Sequence, residues 1–201
     1  MIQATTTHKM RGMAHAQQSP IDLTDYLALE EAGQIRHEYV GGYVHAMVGG
    51  SMRHNRISGN LYAALSQRTA GSRCQTFFTD MKLHVQAVDS VYYPDVFMLC
   101  GAGLAGERHM ASDATLLVEV LSPSTAGTDR RERLSAYRRL PGLKAYWIAS
   151  QDEQRVESHS RSPDARWMIS IMADPEARLI AAAVPGEPAR MADLCVGTDV
   201  A

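Results

Sequence analysis

The chain has 201 residues, with 20 Lys and Arg against 22 Asp and Glu, so its formal net charge is −2. It is 45% hydrophobic and 21% charged, which is ordinary for a globular protein and excludes collagen-like, disulfide-scaffold and disordered chains. The near-neutral charge argues against a protein that covers nucleic acid with a large basic surface. It does not exclude an enzyme that contacts DNA through a small local patch.

The composition along the chain predicts a flexible tail over residues 1–19 and a single domain over 20–201. The tail is polar and lacks the apolar stretch of a secretory signal, and no apolar run approaches the roughly 20 residues that span a bilayer. The three cysteines are widely spaced and form no CxxC pair. That usage favours reduced thiols in a cytoplasmic protein. The lack of a spanning apolar run predicts no membrane partner.

The predicted elements begin with a short helix near 23–33 and a β-hairpin around Gly41 and Gly42. An amphipathic helix is predicted between Ser51 and Gly71, because apolar residues recur there at helical spacing. The later elements are strands over 74–78, 80–88 and 91–100, a buried strand over 116–121, a helix from 128 or 129 to about 140, and strands near 145–150, 155–159, 167–172 and 179–184. The predicted fold class is α/β or α+β: a mixed central sheet flanked by helices, with an N-terminal hairpin and C-terminal antiparallel strands.

Two acids occupy places that indicate a functional role as well as an ordinary structural one. Glu119 interrupts the apolar run 116–121, where an ionised carboxylate costs several kcal/mol unless a cation meets it. A core-facing arginine or a solvated strand face would also explain it. Asp95 follows Pro94, at a backbone irregularity of the kind that re-aims side chains beside functional sites. An aspartate that caps a turn explains that position equally well.

These two acids lie on strands joined by one loop, so they can be neighbours in the sheet. Paired carboxylates are hard oxygen ligands that suit Mg²⁺ or Mn²⁺. A metal held in this way can activate water for phosphodiester hydrolysis. Glu38, in the first hairpin, is by itself typical of a solvated strand position.

Basic residues form two groups. The helix from Asp129 carries Arg130, Arg131 and Arg133, and Arg133 shares a face with Tyr137 four residues later. Such a helix can position phosphate, although a solvated face paired with Glu132 explains it as well. The second group, at the start of the earlier helix, includes Arg53 and His54, and a helix N-terminus favours anions.

Several of these segments together resemble the Uma-type restriction endonuclease family. The segments are Tyr39-Val-Gly-Gly-Tyr-Val, His54-Asn-Arg-Ile, Thr79-Asp-Met-Lys-Leu, Tyr93-Pro-Asp-Val, Val118-Glu-Val-Leu-Ser-Pro-Ser-Thr and Asp129-Arg-Arg-Glu-Arg-Leu-Ser-Ala-Tyr. The family belongs to the PD-(D/E)XK nuclease superfamily. The resemblance implies a restriction-endonuclease-like core and Mg²⁺-dependent phosphodiester cleavage, with Asp95 and Glu119 as metal-binding acids and Glu38 as an auxiliary acid.

The chain departs from the superfamily pattern at one catalytic position. The residue two after Glu119 is Leu121 rather than Lys. The resemblance implies that members of the family carry that Lys on the following helix instead. The matching residue in this chain is Arg133. Arginine keeps the positive charge but cannot lose its proton in a protein. Lys82, on the strand before Asp95, is a second candidate for the missing lysine.

The sequence therefore predicts a metal-dependent endonuclease that hydrolyses DNA phosphodiester bonds with Mg²⁺ or Mn²⁺. The replacement of Lys by Arg133 supports a second hypothesis, a protein of the same fold that binds DNA or a protein partner without cutting. A homodimer is expected for the endonuclease, because cutting two DNA strands usually needs two sites and two-fold symmetry is common.

Overall fold

The computed structural model describes residues 19–101, 109–121, 128–179, 181 and 184–200, with the backbone alone for 128–130. The helices are α1 (Leu23–Ala32), α2 (Met52–Thr69), α3 (Thr128–Tyr137) and α4 (Met191–Leu194). The strands are β1 (His37–Val40), β2 (Tyr43–Ala46), β3 (Cys74–Phe78), β4 (Lys82–Val85), β5 (Ser90–Tyr92), β6 (Val96–Cys100), β7 (Met110–Ala111), β8 (Leu116–Leu121), β9 (Ala145–Ser150), β10 (Val156–Arg161) and β11 (Trp167–Met172).

Local sequence signals define the N-terminal elements. The Asp22 side chain accepts a hydrogen bond from the Asp25 backbone N–H and caps α1. The hairpin turns at Gly41 and Gly42, whose φ angles of 54° and 95° are accessible to glycine at little cost. Ser51 caps α2 in the same way as Asp22 caps α1. The predicted tail lies, except for its last residue, outside the described residues, and the single domain over 20–201 stays a prediction.

The strands form two sheets rather than one. A five-stranded sheet has the order β2-β1-β5-β4-β7, and a six-stranded sheet has the order β11-β10-β9-β8-β6-β3. The predicted strand over 91–100 breaks at Pro94, because proline has no N–H to donate to a ladder. Its two halves, β5 and β6, belong to different sheets. Asp95 therefore lies at the connection between the sheets.

The six-stranded sheet carries a hydrophobic layer on each face. Val118 and Val120 of β8 pack in the cluster that contains Ile57 of α2. Leu117 packs in the other cluster, with Tyr137 of α3. Because successive side chains of a strand point to opposite faces, Glu119 lies on the same face as Leu117, towards α3.

Three predicted elements differ from those observed. The strand predicted over 80–88 is confined to β4, since residues 86–88 form a 3₁₀ turn. Helix α3 ends at Tyr137, three residues before the predicted end. The strand predicted over 179–184 is wrong for the described part of that segment, where the pairing is a single bridge between Arg178 and Arg190. The other two C-terminal antiparallel strands are confirmed as β10 and β11.

The expectation of three reduced thiols is wrong, because Cys74 and Cys100 form a disulfide. The two cysteines lie directly opposite each other in the antiparallel pair of β3 and β6. They are 26 residues apart in sequence, so only the pairing of these strands brings them together. Cys195 is free and buried. No helix in the described ranges is long and apolar enough to cross a membrane.

Candidate active site

A cavity of about 630 Å³ opens where the two sheets meet, and five predicted site residues line it. Each comes from a different part of the fold: Glu38 from β1, His54 from α2, Asp95 from the β5–β6 connection, Glu119 from β8 and Arg133 from α3. The end of β2 and the segment that joins it to α2, residues 46–50, also line the cavity. The structure thus brings together acids that lie up to 81 positions apart in the sequence.

Glu119 is the most deeply buried acid of the cavity, with 6% of its surface exposed. Its Oε1 accepts hydrogen bonds from Arg133 Nη1 at 3.1 Å and from the Tyr137 hydroxyl at 2.7 Å. Burial raises the pKa of Glu119 to about 7, although Arg133 and the Tyr137 hydrogen bond favour the ionised form. The sequence also allowed a core-facing arginine as the partner of Glu119. That contact is observed, and the arginine is Arg133, which lines the cavity.

Asp95 is fixed through one of its two carboxylate oxygens. The backbone N–H of Val120 donates to Oδ2 over 2.7 Å, and His54 Nε2 lies 3.3 Å from the same atom. This hydrogen bond to Asp95 raises the pKa of His54 above its usual value. The contact with Val120 joins Asp95 to the strand that carries Glu119, so the two acids have a fixed relation to each other.

Arg133 connects the acids of the two sheets. Its Nη2 donates to Glu38 Oε2 over 2.9 Å, while its Nη1 contacts Glu119. The guanidinium lies 5.8 Å from the centre of the Tyr92 ring, which forms a cation–π contact beneath it. The planar fork of arginine suits two carboxylates at once, a geometry that a lysine ammonium does not reproduce.

The remaining predicted residues lie around the cavity or away from it. Tyr137 is buried behind Glu119. Lys82 does not line the cavity, and its Nζ lies 5.5 Å from the centre of the Tyr93 ring. Arg53 forms ion pairs with two exposed acids, Asp152 and Asp199. Arg131 is exposed on α3, and the side chain of Arg130 lies outside the described part of the chain.

Sequence reasoning missed two contributors to this geometry. One is the Val120 backbone N–H, which no side-chain pattern can reveal because every residue except proline has such a donor. The other is Tyr92, whose ring lies under Arg133. Its position just before the Pro94 break was the available signal, since a residue at a strand end beside a kink often faces a site.

The donor set suits a hard divalent cation, although it is incomplete as a protein ligand shell. In the described part of the chain, no three His, Cys, Asp or Glu side chains are grouped as a metal site. Asp95 and Glu119 each use one oxygen for protein contacts, which leaves Oδ1 and Oε2 without a partner among the described residues. Mg²⁺ is commonly held by one or two carboxylates, with water and substrate phosphate as the other ligands. The role of Glu38 as a third ligand stays a prediction.

Comparison with protein families gives a match over most of the chain. The Uma2 family, whose description reads "Putative restriction endonuclease", matches residues 23–190. Two similar proteins from Synechocystis bear the names "Uncharacterized protein sll1609" and "Uncharacterized protein slr1290". The first is 30% identical over 73% of this chain and 84% of its own length, and the second is 29% identical over 78% and 84%.

Comparison with solved structures confirms the fold. A crystal structure of a "putative nuclease belonging to DUF820" from Anabaena variabilis superposes with a TM-score of 0.73 at 17% identity. The match covers 87% of this chain and 97% of the other chain. The predicted fold class, a restriction-endonuclease-like arrangement of mixed strands and helices, is therefore confirmed, together with the predicted family.

Proposed function

Because the chain belongs to the Uma2 family of restriction-endonuclease-like proteins, we propose that it is a metal-dependent endonuclease that hydrolyses DNA phosphodiester bonds. One observation carries the proposal: Asp95 and Glu119 line the same cavity, and each has one carboxylate oxygen that no described residue engages. Two such oxygens beside a guanidinium form a site with both a place for a cation and a place for phosphate.

The metal would be held by Asp95 and Glu119 and would be Mg²⁺ or Mn²⁺. When bound, such an ion supplies an activated water and stabilises charge on the phosphoryl oxygens. The ion would also favour the ionised form of Glu119, whose pKa of about 7 otherwise leaves half of the carboxyl protonated near neutrality. The chain's own contribution is to fix the acids, through the Val120 N–H and the Tyr137 hydroxyl.

The proposed role of Arg133 is to bind the scissile phosphate and stabilise its charge. Arginine remains protonated throughout the accessible pH range, so it does not act as the general base. In the described conformation its guanidinium contacts Glu38 and Glu119. With a metal held by Asp95 and Glu119, Glu38 would keep the Arg133 guanidinium directed into the cavity. Lys82 packs against Tyr93 outside the cavity lining and has no part in this proposal.

The same contacts favour one alternative function. Because Arg133 pairs with both Glu38 and Glu119, it offsets part of the negative charge of the cavity, which could then hold a phosphate backbone without a metal and without cleavage. In that case the protein binds DNA and does not cut it. The variant Arg133→Lys separates the two functions, because it restores the ammonium that the superfamily pattern places here. Cleavage by Arg133→Lys together with inactivity of the natural chain would support the binding function.

The direct test is cleavage of supercoiled and linear DNA with Mg²⁺, with Mn²⁺ and with EDTA. We expect the natural chain to cut only with a metal, and Asp95→Asn and Glu119→Gln to lose at least about 100-fold in rate, as removal of a charge-stabilising catalytic group does. Asp25→Asn is the matched control, since Asp25 is exposed on α1 away from the cavity. Equal cleavage by Asp95→Asn and the natural chain would refute the assigned site.

A further inference from the structure

Strand β11 forms one edge of the six-stranded sheet and is paired, among the described strands, with β10 alone. Its four central residues, 168–171, are all exposed. Three of them are large and apolar: Met168, Ile169 and Ile171 have 63%, 61% and 57% of their surface accessible. The exposed apolar side chains thus coincide with an unpaired strand edge.

This edge lacks the features that normally prevent strands from pairing between molecules. Exposed edges are usually blocked by charged side chains, by proline or by a bulge. The sequence of β11, Trp-Met-Ile-Ser-Ile-Met, contains no charge and no proline. All six of its residues pair in continuous register with β10, so the strand has no bulge. No other described strand pairs with its outward N–H and C=O groups, so they can pair with another strand.

The sequence around β11 is complementary to itself in one antiparallel register. If a two-fold axis passes beside Ser170, Ile169 of one copy lies opposite Ile171 of the other. In the same register Arg166 lies opposite Asp174 at each end. Both of these residues are exposed, and 83% of the Arg166 side chain is accessible, although it also contacts Asp164. Apolar residues therefore meet apolar residues at the centre, and opposite charges meet at the ends.

We propose that β11 is the dimer interface of this protein, and that a second copy pairs antiparallel to it about a two-fold axis at Ser170. The six-stranded sheets of the two copies then form one continuous sheet. Glu119 lies on β8, three strands from β11 in the sheet order. The interface consequently leaves the cavity accessible in both copies, and the inference does not depend on the proposed nuclease activity.

The first test is the oligomeric state of the full chain, measured by sedimentation velocity over a range of concentrations. We expect a reversible dimer, and Ile169→Lys to weaken it by at least about tenfold, equivalent to about 1.4 kcal/mol. The matched control is Ile35→Lys, because Ile35 is also 61% exposed but lies between α1 and β1. A monomer at every concentration, or a dimer unaffected by Ile169→Lys, overturns the proposal.

The second test fixes the register. Ser170→Cys places two thiols opposite each other across the axis, so oxidation should yield a covalent dimer on a non-reducing gel. Ile35→Cys, in a region outside the interface, should not. Arg166→Asp and Asp174→Arg should each weaken the dimer, and the double variant should restore it. Equal cross-linking of both cysteine variants, or no recovery in the double variant, would refute this register.

Discussion

Tyr137 donates its hydroxyl hydrogen to Oε1 of Glu119 over 2.7 Å, and both side chains are buried. Tyr137→Phe should therefore lower the free energy of unfolding by about 1 kcal/mol, the usual net value of such a bond. For a chain of this size the melting temperature should fall by about 2–4 °C. The variant should also raise the pKa of Glu119, since this hydrogen bond favours the ionised carboxylate.

The control for that variant is Tyr62→Phe, because the Tyr62 ring stacks on Phe78 and its hydroxyl has no hydrogen-bond partner among the described residues. Thermal unfolding of the two variants and the natural chain, followed by circular dichroism, provides the measurement. An equal effect of both substitutions would show that the bond to Glu119 contributes no stability.

Glu119 should make the protein less stable as the pH rises. Its pKa is about 7 in the folded chain against an ordinary value of 4.5, mainly because of burial. The folded state therefore binds the Glu119 proton more tightly than the unfolded state does. The stability that this protonation contributes is complete below pH 4.5 and is lost as the pH rises through 7. Glu119→Gln, which retains an oxygen for Tyr137, should be more stable than the natural chain at pH 8.

Glu119→Gln and the natural chain should be nearly equal in stability at pH 4.5, where the Glu119 carboxyl of the natural chain is protonated in the folded state. Urea denaturation at the two pH values measures this difference, with metal excluded by EDTA. A constant difference between the proteins at both pH values would contradict the assignment of a raised pKa to Glu119.

Arg133→Met should destabilise the fold, because Glu38 and Glu119 then lose the cation that contacts both. Loss of one partner of a largely buried ion pair costs about 3 kcal/mol. The loss of stability caused by Arg133→Met should be smaller at pH 5, where Glu119 is protonated and no longer needs a cation. Arg131→Met, an exposed position on the same helix, serves as the control and should change the stability little. Equal effects at both positions would contradict the bridging role.

The Cys74–Cys100 disulfide should stabilise the fold, because it reduces the conformational entropy of the unfolded chain. For a separation of 26 residues the expected contribution is about 3 kcal/mol. The double variant Cys74→Ser/Cys100→Ser should lose that stability, and a reducing agent should have the same effect on the natural chain and none on the variant. Intact mass under non-reducing conditions checks the bond directly, since a fully reduced chain is two hydrogens heavier.

The candidate site could be predicted from sequence where a residue conflicted with its local surroundings. Glu119 was conspicuous because it interrupts an apolar strand, and Asp95 because it follows a proline in a strand-forming segment. Arg133 was identified through the family resemblance together with its spacing from Tyr137. The signals at Glu119 and Asp95 are local, and the structure places these two residues and Arg133 in the lining of one cavity.

The other features depend on contacts between segments distant in sequence. The division into two sheets is set by strand pairing, and the pattern of a single strand does not specify its partner. The contact between His54 and Asp95, and the disulfide between Cys74 and Cys100, follow from that pairing and from the packing of α2. A lone histidine or cysteine in sequence carries no information about which residue it will meet.

The two sheets meet at the cavity, and Asp95 lies on the connection between them. Glu38 belongs to the five-stranded sheet and Glu119 to the six-stranded one, and Arg133 contacts both. A divalent ion or a nucleic acid phosphate bound there would act as a clamp that secures one sheet against the other. Ligand occupancy should accordingly slow amide hydrogen exchange in strands of both sheets, including strands that contribute no residue to the cavity.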